Sequence, residues 1–147
     1  MMRRTGGFTM VELVLVIIML GILAVFVIPR MDTSAYRALA FHDQTVAALR
    51  YAQKTATSHR RLVCVAFPDD HTLELTIDTD KNGACDTALV VPGAQNNQVV
   101  SGDPAQAKFN PLPATLNFAA DGSCSGATIK IQGAADIVVI GATGYVQ

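Results

Sequence analysis

The sequence predicts an α+β fold: a long amino-terminal helix, apolar throughout its first half and packed through its second half on an antiparallel β-sheet head. Three observations predict it. From Phe8 to Ile28 the only charged residue is Glu12. Beyond Pro29 a helical spacing of apolar residues continues to Arg61. After Arg61 the period falls to two, as in strands. The chain therefore divides into a short basic segment (1–7), an apolar helix kinked near Pro29 (8–29), its amphipathic continuation (30–61) and a β-rich head (62–147).

Composition bounds the function. The 147 residues are 50% hydrophobic and 16% charged, which excludes a disordered chain. A net charge of −1 gives no bulk electrostatic reason for nucleic acid as the main partner. The three cysteines, Cys64, Cys85 and Cys124, fit neither a metal motif nor a full disulfide framework.

A helix over 8–28 would be about 31 Å long, enough to cross the hydrocarbon core. The run is longer than the apolar region of a secretory signal, and it ends in VIPR without a small-x-small cleavage site. Arg3 and Arg4 precede it, which favours a cytoplasmic amino terminus and an exported head. Glu12 is the anomaly. A carboxylate in a span costs on the order of 2.5 to 3.5 kcal/mol at the centre and less near an end. No cation lies within a turn of it on this helix. Cleavage between Gly7 and Phe8 would supply one, because the new α-amine is mostly protonated at neutral pH. Pro29 should kink or end the apolar helix, and Gly21 weakens its interior by about 1 kcal/mol.

Past Pro29, Ala35, Leu39, Val46, Leu49 and Ala56 recur at helical steps and form the expected buried stripe. Arg37, Asp43, Arg50 and Lys54 lie mostly off it. Asp32, Thr33 or Ser34 could supply the N-cap. Strands are expected at 62–67, 72–77, 88–91, 114–118, 127–131 and 136–140, with a last short piece at Tyr145 and Val146. PDDH (68–71) reads as a turn. The stretch 92–113 carries four prolines and reads as a long irregular loop, with an edge strand at Val99 and Val100.

The run GG-FTMVEL followed by an apolar stretch to Pro29 closely resembles the class III signal of type IV pilins and type II secretion pseudopilins. The resemblance implies that residues 1–7 are a leader removed after Gly7 by a prepilin peptidase, and that the same enzyme N-methylates Phe8. It implies that Glu12 pairs with a neighbouring subunit's amino terminus. Residues 8–29 would then sit in the bacterial inner membrane, with the amino terminus cytoplasmic and the head periplasmic, before joining a filament. The segments RYAQKTATSHRR, NFAADGSCSGATIKI and DIVVIGATGYVQ resemble H-type minor pseudopilins and related minor pilins, whose ends carry a Phe–x–x–Asp–Gly-like turn and a closing Gly–x–Val strand. A minor subunit that primes or caps assembly is the implied role, with other pilin or pseudopilin subunits, the peptidase and the inner-membrane assembly platform as partners. The alternatives are a major pilin forming the shaft and a DNA-binding minor pilin. The leader is common to pili, type II secretion and DNA uptake.

Three smaller signals remain. DTDKNGACD (78–86) matches the first half of an EF-hand loop, with Asp78, Asp80, Asn82 and Asp86 as candidate calcium ligands. Leu89 stands where the bidentate Glu is expected, and the competing reading is a hairpin turn with positive φ at Asn82–Gly83. No cofactor is otherwise required. One disulfide fits an oxidising compartment, and Cys64 sits in an apolar strand as a candidate buried thiol. Cys85 and Cys124 lie in Gly-containing loops, so Cys85–Cys124 is the favoured pair, with the other two pairings open. Arg60 and Arg61 are candidate DNA contacts. The related DNA-binding pilins use carboxy-terminal arginines, whereas this chain reads Gly144, Tyr145, Val146, Gln147, which disfavours nucleic acid. Basic residues in a last helical turn also suit the helix dipole. His42, His59 and His71 have no metal-ligand spacing, and no nucleophile–base set supports an enzyme.

Overall fold

The computed structural model describes residues 7–27 and 33–147. It divides into two compact units, Met1–Asp32 and Thr33–Gln147. Most of the leader, Arg3, Arg4, the expected kink at Pro29 and the passage from apolar to amphipathic helix lie outside the described residues.

In the first unit, α1 spans Met10–Val27. Thr9 caps it: the Glu12 N–H donates to Thr9 Oγ1 at 3.3 Å, and the Leu13 N–H to the Thr9 carbonyl at 3.2 Å. No helix among the described residues is long and apolar enough to cross a membrane. The 18 residues of α1 rise about 27 Å, short of the span expected for 8–28.

The second unit opens with α2, Ser34–His59. Of the three N-cap candidates Thr33 holds the position, with its carbonyl accepting from the Arg37 N–H at 3.1 Å. Arg60 ends the helix in the left-handed region (φ 52°), and the Arg61 N–H returns to the Ala56 carbonyl. Eight strands follow: β1 Val63–Asp69, β2 Thr72–Ile77, β3 Thr87–Ala88, β4 Gln98–Val100, β5 Leu116–Phe118, β6 Ala127–Ile129, β7 Ile137–Ile140 and β8 Tyr145–Val146. The first sheet runs β3-β2-β1-β5, and β4 also pairs with β2, so β3 and β4 share β2 as neighbour. The second sheet runs β6-β7-β8. All pairs are antiparallel.

Alternation drives the first sheet. Val63, Val65 and Phe67 of β1 and Leu73, Leu75 and Ile77 of β2 point into the core, beside Leu116 and Phe118 of β5. The helix meets this surface through Ala38, Phe41, Thr45, Ala48, Leu49, Ala52, Thr55 and Ala56. The expected stripe therefore needs correcting: Leu49 and Ala56 belong to it, but Ala35 and Leu39 face outward. Alanines and threonines fill most of the true stripe because a helix laid close to a sheet leaves little room for larger side chains. The buried Thr45 hydroxyl is satisfied by the Phe41 carbonyl at 2.8 Å.

The long loop is less irregular inside than its prolines suggest. Ala107 and Phe109 are buried, and the Phe109 ring lies 5.0 Å from Phe41 and 5.1 Å from Phe67 between centroids. An isolated bridge from Phe109 to Ile131 connects this loop to the residues just after β6.

Candidate functional site

The large apolar side chains that the described residues leave uncovered are concentrated on α1. Its large apolar side chains from Met10 to Leu23, with Phe8, range from 46% exposed at Val16 to 80% at Phe8 and Met10. Glu12 stands in the first turn. Thr9-x-x-Glu12 has the spacing of a capping box, so the carboxylate sits where the helix dipole favours a negative charge. That local role was legible as a T-x-x-E pattern and accompanies any pairing between subunits. Gly7 and Phe8, the expected cleavage pair, are exposed ahead of the helix.

The second feature gathers where α2 ends. The loop 78–86 is the connection between β2 and β3, as the hairpin reading expected. Positive φ falls on Lys81 (60°) and Gly83 (85°), not on Asn82. Asp78 turns inward, only 4% exposed. Its Oδ1 accepts the Asn82 N–H at 3.2 Å and its Oδ2 the Gly83 N–H at 2.8 Å. Burial opposes its ionisation, but backbone N–H groups from Gly83, Lys81, Asn82 and Asp80 outweigh it and hold the carboxyl below its ordinary value. Asp80 and Asp86 stay exposed and accept from neighbouring threonine hydroxyls, Thr79 and Thr87. Among the described residues the acidic and imidazole groups that gather within 4.8 Å are Asp69, Asp70 and His71, at the β1–β2 turn; Asp78, Asp80 and Asp86 form no such group.

The disulfide expectation is overturned. Cys64 pairs with Cys85, and Cys124 is free. Cys64 was a candidate buried thiol in an apolar strand, but it occupies the face turned from the core, half-buried between the inward Val63 and Val65. The loop after β2 folds back over that face and brings Cys85 to it. Cys124 instead lies beside the second sheet, its N–H on the Gly141 carbonyl at 2.8 Å.

Of the candidate DNA contacts, Arg61 is engaged within the molecule. Its guanidinium donates to the carbonyls of Asp78 and Thr79, tying the end of α2 to the 78–86 loop. Arg60 is exposed at the left-handed cap.

The Phe–x–x–Asp–Gly and Gly–x–Val segments meet in space. Gly122 and Gly144 both have positive φ (88° and 64°). A Cβ on Gly144 would run into the Gly122 carbonyl and lie 3.1 Å from the Phe118 ring, so only glycine lets these segments touch. Asp121 closes the turn by accepting from the Ser123 hydroxyl (2.7 Å) and N–H (2.9 Å), which hold its carboxyl below the ordinary value. From α2, Gln53 donates to the Thr143 carbonyl at 2.6 Å and Arg50 to that of Val146. The carboxy-terminal strand is thereby fastened to the helix.

The family model described as "Type II transport protein GspH" matches residues 43–144, which is the head from the middle of α2 to the Gly144 contact. The chain belongs to the GspH family. Two crystal forms of the type IV minor pilin FimU from Pseudomonas aeruginosa share the fold. One is 18% identical with a TM-score of 0.58, covering 78% of this chain and 90% of FimU. The other is 20% identical with a TM-score of 0.53, covering 74% and 90%. Among curated proteins no relative matches. In the GspH-family head, the matched region thus includes the helix–sheet core, the Cys64–Cys85 loop and the glycine contact, while α1 lies outside it.

Proposed function

We propose that this GspH-family chain is a minor pilin or pseudopilin that primes or caps assembly of a type IV pilus or type II secretion pseudopilus, without chemistry of its own. The observation that carries the reading is the contrast between an apolar α1 whose large side chains are exposed from Met10 to Leu23 and a head with its own closed core. A helix with such a surface calls for a lipid or protein environment. In this reading the leader is cut after Gly7, Phe8 is N-methylated, and α1 is held in the inner membrane until it enters the filament. Glu12 then meets a neighbouring subunit's amino terminus, which removes the penalty of an unpaired carboxylate among apolar residues.

The test is quantitative mass spectrometry of sheared, purified surface fibres together with the inner membrane. The expected result is a peptide beginning at methylated Phe8, in trace amount beside an abundant second pilin. Dominance in the fibres would make the chain a shaft subunit and overturn the minor role. Mature protein confined to the inner membrane would assign it to a secretion pseudopilus. A mature peptide beginning elsewhere would remove the leader reading altogether.

A further inference from the structure

The loop from Asp78 to Asp86 holds an Asn–Gly pair, Asn82–Gly83, to which the proposed function gives no part. Asn82 is exposed, and its side-chain Oδ1 accepts the Ala84 N–H at 2.8 Å. An Oδ1 that accepts the N–H two residues ahead closes an Asx turn, and the ring of that turn contains both its own Cγ and the intervening nitrogen, here that of Gly83. The Gly83 N–H in turn donates to Asp78 Oδ2 at 2.8 Å. Gly83 has no side chain to block the approach, and a Cβ built there would meet nothing within 4 Å. The surroundings hold this geometry in place. The Asp78 N–H bonds the Leu62 carbonyl at 2.9 Å, Arg61 holds the carbonyls of Asp78 and Thr79, and the Cys64–Cys85 disulfide anchors the far side of the loop.

A nucleophile, an acceptor for its proton and a donor facing the oxygen that gains charge are thus assembled around one side-chain amide. From this geometry we propose that Asn82–Gly83 is a self-modifying site: the Gly83 nitrogen attacks Asn82 Cγ, closes a succinimide and converts residue 82 to aspartate or isoaspartate. The bond from the Gly83 nitrogen to Cγ forms, and the bond from Cγ to Nδ2 breaks. The Gly83 proton passes by way of Asp78 Oδ2 to the departing nitrogen, which leaves as ammonia. Charge building on Asn82 Oδ1 is met by the Ala84 N–H. Water then opens the ring at either carbonyl. The product adds a negative charge beside the exposed Asp80 and Asp86, and the isoaspartate form routes the backbone through one extra carbon.

The experiment incubates the purified full-length protein in detergent at neutral pH and physiological temperature. The mass gain of replacing NH by O is followed, and peptide mapping locates it and separates the two isomers. An unstructured peptide of residues 76–88 provides the rate without the fold. The native chain is expected to convert on the order of tenfold faster than the peptide. Asn82→Gln should abolish the gain in the 78–86 fragment, and Asp78→Asn should bring the rate to that of the peptide or below. A native rate at or below the peptide's overturns the proposal, because the fold would then be neutral or protective. An unchanged rate in Asp78→Asn, with the disulfide and thermal unfolding retained, overturns the part given to Asp78. If Asp78→Asn unfolds the loop, the comparison of native chain with peptide decides alone.

Discussion

The two described units use apolar residues in opposite ways. In α1 they surround the helix on all sides and stay exposed, whereas in the head they occupy one stripe of α2 and alternate positions of the strands. The difference teaches where each unit's stability comes from. The head buries its own surface, so substitutions there register as folding free energy. A helix exposed on every side draws little from its own chain, so substitutions there should register only in whatever environment covers it.

The comparison is most sharply broken in the aromatic centre of the head. Phe109→Ala removes the ring that joins Phe41 and Phe67 and anchors the long loop, and is expected to destabilise by about 3 to 5 kcal/mol in denaturant unfolding. Next comes Cys85→Ser, which opens a loop of sequence separation 21 and should lower stability by about 3 kcal/mol on a chain-entropy estimate. Cys124→Ser should leave the unfolding midpoint almost unchanged, which distinguishes the two pairings directly.

Acid gives a smaller effect with a defined sign. Asp78 and Asp121 are held below their ordinary values, so the folded chain releases these protons more readily than the unfolded one. Their contribution is complete above the ordinary carboxylate range and is lost as pH falls through the lowered folded values, below about pH 4. Thermal unfolding of Asp121→Asn should therefore depend less on pH in that window than the parent chain. The smallest effect is expected for Leu20→Ala, a residue 61% exposed on α1. The head's unfolding midpoint should move by no more than about 0.5 kcal/mol equivalent. A larger shift would mean that α1 contributes to the head's stability.

Much of this fold was legible. Alternation in TLELTI and the apolar run DIVVI marked strands that the structure forms in the same places, because strand character is a local property of the chain. Two expectations shift: β1 runs on through Pro68 to Asp69, so only Asp70 and His71 of the expected PDDH turn lie outside it, and of the strand expected at 88–91 only Ala88 lies in β3. The helix was legible as a helix, but its buried side was displaced: Leu39 seemed a better core residue than Ala38 or Ala52 because it is larger. Packing chose the small residues since the helix lies close to the sheet. Phe109 was hidden among Pro111, Pro113 and neighbouring polar residues, and nothing local marks a loop aromatic as a core residue. The cysteine pairing failed for a related reason. A strand that is apolar in sequence still has two faces, and which of them is covered depends on elements distant along the chain.

By itself the sequence determined the order of helices and strands, the apolar character of α1 with Glu12 near its start, and the glycines at 122 and 144 that later proved to touch. These follow from side-chain period and backbone freedom, which operate over a few residues. Only the tertiary structure decided that Cys64 meets Cys85, that Arg61 fastens the 78–86 loop, and that Phe109 completes the core. Each of those depends on contacts between residues far apart in the chain, and such contacts exist only once the sheet and α2 have packed.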